Sequence, residues 1–135
     1  MPSAKEIVNT MMAKDYFSQW LGIKVLDIAD GCCKLQLTVR KEMLNGFGIA
    51  HGGVTYCLSD SALAFASNSR GPQAVSIETS ISHTAKVHEG DTLTAEAKEL
   101  SRSKKIGFYE VTIRNQENKV VSLFKGTVYV TEKNW

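Results

Sequence analysis

Apolar residues recur at two spacings along the chain, and each spacing predicts a different element. From residue ~4 to ~20 the spacing is three and four, which predicts an amphipathic helix through Ile7, Val8, Met11, Met12 and Tyr16. Ser3 and Glu6 stand three apart at its start, as in a capping box. From Gly31 the spacing becomes two, which predicts a half-buried strand. Its apolar face carries Cys33, Leu35, Leu37 and Val39, and its polar face carries Lys34, Gln36, Thr38 and Arg40.

The segment from Met43 to Gly53 is too rich in glycine for a helix or a strand, so it predicts a loop. A helix should follow from about Gly52 to Asn68 and end at Gly71-Pro72. It is apolar on nearly every side, so we expect it inside the protein.

The rest of the chain alternates between apolar and polar residues in long strands. Turn residues at Glu89-Gly90-Asp91 and from Asn115 to Asn118 allow short hairpins, so consecutive strands should pair as an antiparallel meander. The predicted fold class is α+β, a curved antiparallel sheet wrapped around one central helix, in a single domain over residues 1–135. The residues expected to share faces are Val75, Ile77 and Ile81, then Leu93, Ala95 and Ala97, then Val111 and Ile113, then Phe124, Val128 and Val130.

Length and charge narrow the range of possible functions. A chain of 135 residues is small for a catalytic cleft of its own, so a partner subunit is expected to help. Sixteen Lys and Arg against fourteen Asp and Glu give a net charge of +2. This lacks the basic excess of a duplex-binding protein, so nucleic acid is not an expected partner. The chain has no apolar run near the ~20 residues of a membrane span and no signal-peptide pattern, so we expect no membrane association and a cytoplasmic location.

Cysteine and histidine spacing favours neither disulfides nor a metal site. The cysteines are Cys32, Cys33 and Cys57, and the adjacent pair would point to opposite faces of a strand, so we interpret all three as reduced. The histidines are His51, His83 and His88, and none stands at metal-ligand spacing from cysteines or carboxylates. We therefore expect no metal and no other cofactor.

Asp60 is the residue most indicative of chemistry. It is the only acid between Glu42 and Glu78 and lies in an otherwise apolar helix, where a carboxylate is unfavourable unless it is used. It could attack a carbonyl as a nucleophile or activate water as a general base, and the sequence leaves both roles open. The flanking Ser59 and Ser61 are expected to hydrogen-bond its ionised form. The structural alternative is an exposed carboxylate on the helix rim or one that caps a loop.

Gly52 and Gly53 precede this acid at the predicted helix start. Unpaired N–H groups there suit a developing oxyanion, and the lack of side chains lets an acyl group approach the backbone. The Gly53 N–H and Asp60 are seven residues apart, or roughly 10.5 Å at 1.5 Å per residue. One carbonyl cannot reach both, because attack needs about 3–3.5 Å and an oxyanion bond about 3 Å. We therefore expect Gly53 of one subunit to face Asp60 of another across a two-fold axis.

Several motifs together resemble those of the hotdog-fold acyl-CoA thioesterases, over nearly the whole chain. They are Leu44-Asn45-Gly46, His51-Gly52-Gly53, Leu58-Ser59-Asp60, Asn68-Ser69-x-Gly71 and Phe124-Lys125-Gly126 at the end of the run from Lys104. Within the family, the likeness is to the thioesterases of phenylacetate degradation. The resemblance implies a hotdog fold and hydrolysis of acyl-CoA, with coenzyme A as part of the substrate. It also implies sites shared between subunits, with a homodimer as the minimal active unit and a homotetramer as the expected assembly.

The resemblance also implies roles for individual residues. Asp60 would be the nucleophile or base, the Gly53 N–H would bind the oxyanion, and Asn45 and His51 would position the reactants. Asn45 and His51 could instead be structural residues of the loop. Expected substrate contacts are Gly52, Ser76, Arg70, Arg102, Lys104 and Lys105, the last four toward the phosphates of coenzyme A. The alternative for Ser76 and these cations is a solvated surface.

The implied substrates are phenylacetyl-CoA or hydroxylated phenylacetyl-CoA, with medium-chain acyl-CoA as the nearest variant. Relatives commonly carry an aromatic residue or Leu and then Arg-Pro before the Gly-Asp turn, where this chain has His83-Thr84-Ala85-Lys86. This departure affects the cleft mouth and the acyl specificity that the resemblance implies. Two other functions stay open: a 3-hydroxyacyl thioester dehydratase with a histidine base, and a non-catalytic acyl-CoA-binding module.

Overall fold

Two short helices form the amino-terminal segment. The structure, a computed structural model, describes residues 1–135. The capping box is confirmed, because Ser3 Oγ accepts the Glu6 N–H and the Glu6 carboxylate accepts the Ser3 N–H, both at 3.2 Å. Helix α1 spans Ala4–Lys14 and α2 spans Tyr16–Leu21. The single helix predicted here is therefore interrupted at Asp15, whose side chain accepts the Ser18 N–H and starts the second helix.

One antiparallel sheet of six strands and one long helix make up the rest. The strands are β1 (Lys24–Ala29), β2 (Cys32–Thr38), β3 (Pro72–His83), β4 (Thr92–Arg102), β5 (Ile106–Arg114) and β6 (Val120–Asn134), in the order β1-β2-β4-β5-β6-β3. Helix α3 (Gly52–Asn68) has the predicted bounds and packs against β2 to β6. A short 3₁₀ turn, Lys41–Met43, precedes it. The α+β prediction is confirmed, and no helix has the length and apolarity to cross a bilayer.

The position of β3 corrects the predicted meander. It pairs with β6 at the sheet edge, while β4 pairs with β2. The turn at Glu89–Asp91 is therefore not a hairpin between β3 and β4. Its backbone instead bonds the end of β2, since the Gly90 N–H donates to Val39 O at 2.8 Å and the Val39 N–H donates to Asp91 O at 2.9 Å. Only β4, β5 and β6 follow one another as a meander.

The predicted inward faces are correct for every strand except β3. Val75 and Ile77 are 56% and 59% exposed, because the register shifts between Ser76 and Glu78 and the strand lies at an edge. Elsewhere the alternating apolar residues are buried beneath α3. Gly126 on β6 allows this close packing, since a Cβ there would lie 2.5 Å from Leu63 Cδ2 on α3.

Candidate active site

The amino-terminal end of α3 presents two backbone N–H groups. His51 is the N-cap, and its Nδ1 accepts the Gly53 N–H at 2.8 Å, so the ring is unprotonated at that nitrogen. The Gly52 N–H donates to no group of the chain. A ligand oxygen can therefore bind directly to the Gly52 N–H, whereas at Gly53 it must displace His51.

Asn45 fixes the loop that precedes this helix. Its Oδ1 accepts the N–H of Phe47 at 2.9 Å and that of Ile49 at 3.4 Å, and the Gly48 N–H donates to its carbonyl oxygen at 3.0 Å. The structural role considered for Asn45 is therefore present. Its Nδ2 donates to no group of the chain and stays free for a ligand.

A cavity of about 370 Å³ joins these groups. Its polar walls include Asn45, His51, Gly52, Thr55 and His83. Thr55 Oγ1 donates to Gly52 O at 3.1 Å, so it accepts from His83 Nδ1 at 3.3 Å. His83 Nε2 lies 3.1 Å from the position of a Cβ on Gly52, so a side chain there would have to displace the His83 ring slightly. Sequence analysis did not assign His83 to the site, although the missing Arg-Pro marked this segment as unusual.

Asp60 lies about two turns further along α3, beside the edge strand β3 and the start of α2. It is exposed in the single chain and forms no hydrogen bond with protein groups. Partial burial of the carboxyl by its surroundings raises its pKa, and the negative charge of Asp15 raises it further. The hydrogen bonds expected from its neighbours are absent: Ser61 Oγ contacts Ser18 Oγ, and the buried Ser59 Oγ has no partner. The expectation that α3 is enclosed on all sides is also wrong for this face.

Two cavities border Asp60, and neither reaches the glycines. One, of about 420 Å³, also holds Ser76, Met11 and Trp135. The other, of about 180 Å³, lies between Asp60, Asp15 and the aromatic side chains of Phe17 and Tyr56. The structure therefore brings Ser76 to Asp60 and brings Asn45 and His51 to Gly52. It keeps these two halves apart within one chain.

The four candidate cations differ in what they contact. Arg70 forms two bonds of 2.8 Å to the Glu99 carboxylate, which lowers the pKa of Glu99. Arg102 Nη1 donates to Ser67 O and to the Tyr109 hydroxyl, both at 2.8 Å. Lys104 and Lys105 are exposed on the turn between β4 and β5 and have no salt-bridge partner. These two lysines are the free candidates for a phosphate, whereas the two arginines already bind protein groups.

Comparison with known proteins gives one consistent family. Residues 47–122 match the sequence model of the Thioesterase superfamily. The acyl-coenzyme A thioesterase PaaI of Escherichia coli is 37% identical over 118 residues, which are 87% of this chain and 84% of that protein. The structure of the E. coli PaaI protein, from the phenylacetic acid degradation operon, superposes with a TM-score of 0.95 at 34% identity. It covers 97% of this chain and 95% of the other.

A second similar protein was solved with coenzyme A. The structure of a thioesterase protein of Streptococcus pneumoniae with coenzyme A superposes with a TM-score of 0.81 at 26% identity. It covers 84% of this chain and 88% of the other.

Proposed function

This chain belongs to the thioesterase superfamily and is a thioesterase of hotdog fold, and from this we propose that it hydrolyses the coenzyme A thioesters of aryl-acetyl groups. The acyl group would be phenylacetyl or a ring-hydroxylated phenylacetyl. Two points support the aryl group: the similar E. coli protein comes from a phenylacetic acid degradation operon, and the small cavity beside Asp60 lies between Phe17 and Tyr56. Aromatic side chains are suitable walls for an aromatic ring.

One observation carries the proposal. Asp60 is an acid on an otherwise apolar helix, without a hydrogen bond, with a raised pKa and open to a ligand. Such a carboxylate can accept a proton from water. Water would then add to the thioester carbon, and the developing oxyanion would bind the N–H groups of Gly52 and Gly53. His51 Nδ1 would release the Gly53 N–H as the oxygen arrives.

Completion of the reaction needs no further reactant. When the carbon–sulfur bond breaks, coenzyme A leaves as the thiol with the proton from Asp60, and the free acid departs. If Asp60 attacks directly, an anhydride forms first and water hydrolyses it. Both roles use the same residues.

We propose that each site combines two subunits. The N–H groups at a helix start point out of its amino-terminal end, hence away from Asp60 in the same helix. The α3 face that carries Asp60 and the edge strand β3, with Val75 and Ile77 exposed, are surfaces that a second copy can cover. A homodimer, assembled further into a homotetramer, would thus complete two sites per dimer.

The remaining contacts with the substrate and water are proposed from where the residues lie. Ser76 lines the cavity of Asp60 and can hold the attacking water. Lys104 and Lys105 are proposed for the phosphates of coenzyme A, and Arg70 and Arg102 would join only by exchanging their present partners. The three free cysteines fit a reducing compartment such as the cytoplasm.

A panel of acyl-CoA thioesters with detection of the released thiol tests the function. We expect aryl-acetyl-CoA to be hydrolysed with the highest kcat/KM. Asp60→Asn should lower turnover about 10²- to 10⁴-fold, because it keeps the shape of the side chain and removes its basicity. Its fold and its binding of coenzyme A should remain. A variant that keeps more than about a tenth of the activity, or a wild type that binds or dehydrates acyl-CoA without thiol release, would contradict the proposal.

A further inference from the structure

Asp15, between α1 and α2, is held in place by its own hydrogen bonds. Its Oδ1 accepts the Ser18 N–H at 3.0 Å, and its Oδ2 accepts the Ser18 hydroxyl at 2.6 Å. Because the Ser18 proton is used in this way, the contact of 2.8 Å between Ser18 Oγ and Ser61 Oγ is donated by Ser61. Ser61 follows Asp60 on α3. Two hydrogen bonds therefore anchor the Asp15 carboxylate to the helix position next to Asp60.

Asp15 and Asp60 also line the same cavity of about 180 Å³. The other walls include Phe17, Tyr56 and Ala64, and no Lys, Arg or His lines either cavity that borders Asp60. The other titratable groups at Asp60 are the Cys57 thiol and the Tyr56 phenol, both from α3 itself. Asp15 is thus the one charged group that α1, α2 and β3 present to Asp60.

The two carboxylates differ in their support. Two hydrogen bonds from Ser18 hold the Asp15 carboxylate in place, whereas the Asp60 carboxylate accepts none. A negative charge across a small cavity disfavours the ionised form of Asp60. Burial raises the pKa of Asp60, and the charge of Asp15 raises it further, which is the direction that repulsion between the two carboxylates predicts.

We propose that Asp15 is a positioning residue of the active site, fixed by Ser18 and Ser61 so that its charge opposes that of Asp60 across the shared cavity and makes Asp60 a stronger proton acceptor. The inference rests on the proposed function, since it assigns the proton-accepting role to Asp60. It adds a residue from the amino-terminal helices to a site otherwise built on α3, its preceding loop and β3.

Asp15→Asn tests the inference without removing the helix cap. The amide oxygen can still accept the Ser18 N–H, and asparagine is as good an N-cap as aspartate. The amide NH₂ can donate to Ser18 Oγ, whose proton then turns toward Ser61. The charge is lost, and the hydrogen bonds keep their partners, with the bond between Ser18 and Ser61 reversed in direction. Asp27→Asn is the matched control, because Asp27 is an exposed acid on β1 that borders neither cavity.

The direct measurement is a carbon NMR titration of aspartate carboxyl groups in the intact protein. The resonance of Asp60 is identified by its absence in Asp60→Asn. With the charge of Asp15 removed, Asp60 should lose its proton at lower pH, and Asp27→Asn should leave the midpoint unchanged. In thiol-release assays the acid limb of the rate profile should move to lower pH as well. At a pH on that limb, the fraction of plateau activity that Asp15→Asn retains should be at least about twice the fraction that wild type retains. This factor corresponds to ~0.4 kcal/mol of lost repulsion, at 1.36 kcal/mol per factor of ten.

An unchanged Asp60 midpoint in a folded Asp15→Asn protein would overturn the inference, as would an equal shift in Asp27→Asn. A shifted midpoint with an unshifted rate profile would support the coupling and show that Asp60 does not limit the rate. That result would count against the proposed function instead.

Discussion

A test of the shared site follows from the geometry of α3. Gly52→Pro removes the N–H that has no protein partner, and it is suited to its position for two reasons. Proline is tolerated in the first turn of a helix, and His51 already has the extended ψ of 139° that a residue before proline prefers. The ring would press on His83, 3.1 Å from the Cβ position, which can move as a side chain. Asp60→Asn removes the other half of the site.

The expected magnitude comes from distances along one helix. Asp60 is eight residues from Gly52, or about 12 Å of axis at 1.5 Å per residue, while a carbonyl must lie within about 3.5 Å of the attacking group and about 3 Å of the donor. In the proposed dimer each complete site would thus need both chains, and a heterodimer of the two variants would hold one intact site and one doubly defective site. Random exchange of equal amounts makes half of the dimers heterodimers, so the mixture should recover about a quarter of the wild-type activity per protomer.

The assay is thiol release before and after subunit exchange, with each parent alone as the control. Circular dichroism and sedimentation must first show that both parents fold and that mixed dimers form. If Gly52→Pro alone stays active, Gly53→Pro replaces it as the donor variant. Verified heterodimers that remain inactive would refute the shared site, because the donor would then lie in the same chain as Asp60.

Three further outcomes can be measured. Gly126→Ala should reduce the free energy of unfolding in urea by about 1–3 kcal/mol, since its Cβ would overlap Leu63; an unchanged midpoint would mean that α3 lies further from β6. Asn45→Asp should keep the loop, because a carboxylate oxygen still accepts both N–H groups, and lose turnover if the amide NH₂ binds substrate, whereas Asn45→Ala should lower both stability and turnover. Replacing Lys104 and Lys105 with Gln should raise KM for acyl-CoA and leave kcat unchanged. An equal rise in KM for a thioester that lacks the nucleotide would exclude a phosphate contact.

The spacing of apolar residues predicted α3 and the inward faces of most strands. Burial makes apolar residues recur at the period of the element that carries them. The bounds of α3 follow from glycine at its start and from Gly71-Pro72 after its end, which are local signals. Strand pairing is not local. Alternation in β3 showed neither the register shift between Ser76 and Glu78 nor which neighbour the strand joins, so its place beside β6 had no signal in the chain.

Two features of the site were beyond sequence analysis for a related reason. Asp15 looks like a polar position in one amphipathic helix, and only its bonds to Ser18 show that it starts a second helix and approaches Asp60. His83 stands 32 residues after His51, and the fold alone brings it to Gly52. In both cases a contact between distant segments places the residue, and periodicity cannot encode such a contact.

The uncovered face of α3 connects these observations. A central helix that is apolar on nearly every side would gain by complete burial, yet Asp60 and the half-buried Tyr56 and Ala64 stay outside the core of one chain. In the proposed dimer a second copy in antiparallel orientation would cover this face and bring each acid to the other copy's glycines. Burial of α3 and completion of the site are then one event. A chain too small for its own cleft would gain catalysis only on assembly, and conditions that separate the subunits should abolish turnover before the fold is lost.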